Sequence, residues 1–214
     1  MIRVDFHGIS NNGPKQEAIA RRACSALQDA VNHPDFKRRV SSATYRETRF
    51  VDHDGNYIKV PREKIYGYIA SGAEQGTAND ATIAIQVSLK SMSSVGSTAI
   101  GVLPFSTAFW FINQCIEEDD HISLASHFIH EWLHVAGFYH HPNNGAREDV
   151  PYTVQEIVSD ILKEMAAPPG HNEAAETSRS LAPVEENLLA AGCGAHETDV
   201  PADVPEPSGD DPIQ

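Results

Sequence analysis

The sequence predicts an α+β domain, and two periodicities carry that prediction. Apolar and polar residues alternate over residues 2–7 (Ile2, Val4, Phe6), and Ile83, Ile85, Val87 and Leu89 fall on one face of Thr82 to Leu89, the period of strands. In stretches beginning at Pro14, near Ile122 and at Thr153, apolar residues instead recur at three and four, the period of a helix buried on one side. With 41% hydrophobic content in 214 residues, the chain can bury an ordinary core in one domain, with or without an appendage.

In order, the strand at 2–7 gives way to a polar turn from Gly8 to Gly13. Pro14 suits a first helical position, and Ile19, Ala23, Ala26, Leu27, Ala30 and Val31 form the apolar stripe that follows. Asn32-His33-Pro34 ends that helix. A second strand is expected from Thr44 to Val51, with Tyr45, Arg49 and Val51 on one side and a turn at Asp54-Gly55. Pro61 to Gly72 fits a short helix, with Ile65 and Ile69 four apart, although a strand over Ile65 to Ile69 fits the same residues. After the strand at 82–89, Ser91 to Ser97 is a serine-rich connection, and Thr98 to Phe105 and Phe109 to Gln114 read as two further strands. The helix from Ile122 to Ala136 turns Phe128, Leu133 and Ala136 to the core, with Trp132 in the core or at a cleft wall. Thr153 reads as the N-cap of the last helix and Glu156 completes a capping box, ahead of Val154, Ile157, Ile161, Leu162 and Met165.

Pro168-Pro169-Gly170 stops that helix, and residues 168–214 form a different segment. Its acidic residues face Arg179 as the one Lys or Arg, while Pro and Ala replace large apolar side chains. Such a tail buries too little to offset its ordering entropy and is expected to be largely disordered. The domain is therefore 1–167. Cys193 in the tail is a candidate thiolate ligand for a tethered switch.

The chemistry concentrates at His130-Glu131-Trp132-Leu133-His134-Val135-Ala136-Gly137-Phe138-Tyr139-His140. On a helix, His130 and His134 stand one turn apart on one face, so their imidazoles can share a cation. Glu131 is about 100° further round, off the metal but close enough to act on a water held there. Gly137 can take the conformation that ends a helix and turn the chain so that His140 returns to the same point. Three imidazoles leave a fourth position for water, which is the open, catalytic kind of Zn2+ site. His121, His127 and His141 are left out of that ligand set, because the fourth position is needed for water.

The stretch resembles the HExxHxxGxxH signature of the metzincin clan of zinc metalloendopeptidases, matching at all five fixed positions. The resemblance implies a twisted mixed β-sheet with a backing helix, an active-site helix and a C-terminal helix. It also implies His130, His134 and His140 as zinc ligands, Glu131 as general base, and a peptide or protein as substrate. By the same analogy Ile100-Gly101-Val102-Leu103 would lie antiparallel at the sheet edge, along the cleft. The clan's methionine turn has no direct match: either Val150-Pro151-Tyr152 forms it with Val150 in the methionine's place, or Met165 serves. The first alignment puts Tyr152 where some families carry a tyrosine that stabilises the oxyanion. A zinc-containing peptide binder without turnover and a metal hydrolase of a non-peptide amide are the competing readings, and retention of Glu131 favours the enzyme.

A formal net charge of -14 repels phosphate backbones and anionic lipid surfaces, which excludes nucleic acid or a membrane as the principal partner. Three cysteines are an odd number without metal spacing and form no disulfide framework. No run is long enough to span a membrane. The N-terminus lacks the basic and apolar regions of a secretory leader, so the chain is expected in the cytoplasm or exported by a route the sequence does not display. Nothing in the sequence specifies an oligomeric state.

Overall fold

Strand β1 (Arg3–Ser10) continues through the stretch expected as a turn, because Gly8, at φ +111°, lets it kink and resume. Its register against the neighbouring strand shifts between Phe6 and Gly8, as at a bulge. The structure, a computed structural model, describes residues 1–72, 74, 80–140 and 148–167. The acidic segment 168–214 with Cys193, and His141, lie outside the described residues.

Helix α1 (Pro14–Asn32) begins and ends as its spacing predicts, burying Ile19, Ala20, Ala23, Cys24, Leu27, Ala30 and Val31. The edge of β1 is closed by this helix: Ile2 N–H donates to Asn32 Oδ1 at 2.8 Å and Val4 N–H to Gln28 Oε1 at 2.7 Å. Helix α2 (Pro34–Ser42) was not expected. Pro34 both ends α1 and opens α2, where its missing N–H is no loss, and Phe36 and Val40, four apart, anchor the helix in the core.

Strands β2 (Arg49–Val51) and β3 (Tyr57–Lys59) form an antiparallel pair, shorter than the strand expected over Thr44 to Val51. Helix α3 (Arg62–Ser71) settles the next segment as helical; it ends at Gly72, φ +65°, where a Cβ would lie 2.2 Å from Thr82 N. Strand β4 (Thr82–Lys90) is central, with Ile83, Ile85, Val87 and Leu89 buried as its alternation predicts.

Two expectations fail beyond β4. Residues Thr98–Phe105 are not a strand, since Gly101 has φ +75° and Val102 N–H turns back to Ala99 O at 3.1 Å. Ile100 to Leu103 is therefore not the sheet edge. That edge is β5 (Gly96–Ser97), paired antiparallel to β6 (Phe105–Ala108). Phe109 to Gln114, read as a strand, lies in helix α4 (Phe109–Glu117), where Ile112 and Cys115, three apart, are the buried pair. The sheet is mixed, in order β1-β4-β6-β5, with β4 parallel to both β1 and β6. Helix α5 (His121–Ala136) packs chiefly between α1 and α6 (Val150–Ala166), completing an α+β fold with a mixed sheet and six helices among the described residues. No helix among them is long and apolar enough to cross a membrane.

Candidate metal centre

Helix α5 is capped by Asp120, whose Oδ1 accepts from Ser123 N–H at 2.9 Å, and every residue from Leu124 to Ala136 is buried. His130 and His134 project from one face with ring centroids 5.1 Å apart. Trp132 belongs to the core, its indole N–H donating to Glu74 Oε1 at 2.8 Å. The helix ends at Gly137, where Gly137 and Phe138 N–H both donate to Leu133 O, at 3.1 and 2.9 Å. Glycine is required there twice over. Its φ is +122°, and a Cβ would fall 2.5 Å from Val51 O and 2.8 Å from the Phe50 ring.

That close approach aims the third histidine. Beyond the turn the chain runs extended along β2: Val51 N–H donates to Gly137 O at 2.9 Å and Tyr139 N–H to Arg49 O at 3.3 Å. His140 is thereby returned to α5, its ring centroid 5.1 Å from that of His130 and 4.6 Å from that of His134. The same backbone holds the segment entering α6, since Arg46 N–H donates to Glu148 O at 2.9 Å and Glu47 bridges Asp149. One short extended stretch thus positions both His140 and its carboxylate partner.

One ligand atom from each of His130, His134 and His140 lies within 4.8 Å of the others, so the three can hold a metal ion. A tetrahedral site with bonds of about 2.0–2.1 Å separates its donors by roughly 3.4 Å, a distance modest side-chain movement reaches. The protonation chemistry fits. Burial, then the neighbouring imidazoles, holds His130 well below the usual histidine range, and burial brings His134 down to about 3, so both are neutral and able to ligate. The outer nitrogens are spoken for at two positions: His134 Nδ1 lies 2.7 Å from Phe138 O, and His140 Nδ1 lies 2.6 Å from Asp149 Oδ2. Nε2 is then the coordinating atom of each. His130 Nδ1 is the one buried side-chain polar atom among the described residues without a hydrogen-bond partner of good geometry.

Glu131 sits beside this cluster without joining it. Its carboxylate is buried and accepts a hydrogen bond from Thr98 Oγ1 on Oε2. Burial raises its pKa to about 7, against the opposing effects of Thr98 and then His140; a cation bound by the three histidines would favour the charged carboxylate further. Tyr152 is brought to the same place, its ring 4.7 Å from that of His130 and stacked at 4.8 Å on that of His140. His127 and His121 lie outside the cluster.

Sequence reasoning missed Asp149. It caps α6, its Oδ1 accepting from Tyr152 N–H at 3.1 Å, while its other oxygen holds His140. The signal was present: an Asp two residues ahead of a proline is an N-cap followed by a first-turn proline, so the helix opens here and not at Thr153. Val150-Pro151-Tyr152 is accordingly the first turn of α6, with Val150 buried. Met165 is exposed near the far end of α6, roughly 22 Å along its axis from Val150. Compared with protein-family models, curated proteins and solved structures, this chain matches none.

Proposed function

We propose that the protein is a zinc-dependent endopeptidase. The observation that carries this reading is the convergence of three imidazoles, with a fourth ionisable group, Glu131, buried beside them and excluded from the ligand set. His130, His134 and His140 would hold the ion. A Zn2+ ion so held acidifies a water and polarises the scissile carbonyl. Glu131 accepts the proton of the attacking water and passes it to the leaving amine, the work of a single carboxylate in two directions. Tyr152, stacked on His140, donates from its hydroxyl to the oxyanion that develops on the substrate. Asp149 keeps the His140 ring oriented and its Nδ1 protonated.

The test is a mixed peptide library incubated with the purified protein, with and without a chelator. Cleavage that the chelator abolishes and added zinc restores is the expected outcome, and the cleavage sites would define the substrate preference. A protein that binds zinc at the cluster but cleaves no peptide would contradict the assignment.

A further inference from the structure

We propose that Thr98 and His127 form a clamp that positions the Glu131 carboxylate, Thr98 through its hydroxyl on Oε2 and His127 through the Nδ1 edge of its ring facing Oε1. The clamp rests on the reading of Glu131 as general base, and it adds two residues from outside the ligand motif to that site.

A glutamate following a metal ligand is placed by its helix only as far as Cβ. Ordering the rest of a long side chain costs rotamer freedom, and a base must come within about 3 Å of the proton it takes. The structure surrounds this carboxylate on three sides. Thr98, just past β5, donates its hydroxyl to Oε2. His127, one helical turn before Glu131, places Nδ1 3.7 Å from Oε1, too far for a hydrogen bond but close enough for an N–H dipole to act. Gly96 of β5 closes the third side, since a Cβ there would lie 2.3 Å from Glu131 Oε1 and 2.3 Å from His127 Cε1. The sheet edge and the helix therefore meet on this one side chain.

His127 is itself held firmly. Its Nε2 lies 3.0 Å from Thr107 Oγ1 on β6, and its ring packs 5.2 Å from that of Phe111 and 6.4 Å from that of Phe105. The carboxylate facing Nδ1 favours the tautomer with the hydrogen there, and in that tautomer Nε2 accepts from the Thr107 hydroxyl. Burial pushes the His127 pKa down to about 3, so the ring stays neutral and orients Glu131 without neutralising it by a full ion pair. The Thr98 hydroxyl likewise fills one lone pair of one oxygen and leaves the carboxylate able to receive a proton.

Four substitutions separate a clamp from a polar network that serves only the fold. Thr98→Val removes the hydroxyl and Thr98→Ser keeps it. His127→Gln retains a group at the Nε2 position facing Thr107, whereas His127→Asn retains one at the Nδ1 position facing Glu131. Each variant is checked for folding by circular dichroism and for metal by Co2+ stoichiometry. Turnover and the visible spectrum of the Co2+ form are then compared with the parent and with Glu131→Gln. The expected result is that Thr98→Val and His127→Gln bind one Co2+, lose about tenfold to a hundredfold in kcat with little change in KM, and shift the spectrum toward that of Glu131→Gln. Thr98→Ser and His127→Asn should recover most of both properties. Spectra and kcat per folded molecule that stay at the parent's values in Thr98→Val and His127→Gln would overturn the clamp. If the parent binds Co2+ but cleaves nothing, the peptidase reading fails, and the spectral comparison alone still decides whether Thr98 and His127 position Glu131.

Discussion

Helices α1 and α5 pack against each other, yet they treat their polar residues in opposite ways. On α1 the charged groups stay at the surface, where Arg21 pairs with Glu17 at 2.6 Å and both side chains are substantially exposed. Solvent screens a pair of that kind, so it adds little to stability. On α5, His127, His130, Glu131 and His134 are buried in the middle of the fold. Burying such groups costs roughly 1–3 kcal/mol each unless they find partners, and three of the four find one in Thr107, Thr98 and Phe138 O. His130 Nδ1 has none of good geometry. Alpha-helical periodicity describes α1 because apolar side chains fill its buried positions. In α5, ionisable groups occupy positions that packing alone would fill with apolar side chains, and the proposed metal chemistry would account for keeping them there.

The sharpest way to break this contrast is to damage the packing helix and look for an effect on the site. Leu27→Ala removes a fully buried side chain from α1 and should destabilise the protein by about 2–5 kcal/mol in urea denaturation. Metal bound per folded chain should not change. Loss of metal from the folded variant would mean that the two helices do not divide the work as described.

The next effect runs the other way, on function with the fold intact. Tyr152→Phe should lower kcat by about tenfold to a thousandfold in steady-state kinetics while KM and thermal stability stay close to the parent's, because the oxyanion contact is made in the transition state. Unchanged kcat would return Tyr152 to packing against His130 and His140.

The smallest effect separates the two roles of one residue. Asp149→Asn keeps an N-cap for α6 but gives up the carboxylate that holds His140, so zinc affinity should fall about tenfold to a hundredfold in a competition titration at near-parent stability. Asp149→Ala should lose the same affinity and about 0.5–2 kcal/mol of stability besides. An Asn variant with parental affinity would assign Asp149 to the cap alone.

What could be read from the sequence follows the same division. The stripe of α1, the alternation of β4 and the histidine spacing of α5 each repeat a period over many residues, and each appears in the structure where it was expected. Helix α2 escaped because only Phe36 and Val40 mark its buried face and Pro34 looks like an ending. Phe109 and Phe111 alternate like a strand, but the buried residues of α4 are Ile112 and Cys115, and a stretch this short satisfies both periods. At the site, His130, His134 and His140 were legible because Gly137 sits between the helix and the third histidine. Asp149 was legible as an N-cap but not as the partner of His140, and Thr98 and Thr107 were not legible at all, since these contacts are set by the segment before β2 or by the sheet edge, and no local pattern records which distant segment will lie against a helix.

The central proposal is that His130, His134 and His140 hold a metal while the buried Glu131 does the proton transfer. Zinc stoichiometry and peptide turnover, measured together on the parent and on Glu131→Gln, test it most directly. The account predicts one zinc per chain in both proteins and a loss of about a hundredfold to ten-thousandfold in turnover in the variant. Equal turnover in the two proteins, or a variant that no longer binds zinc, would contradict it.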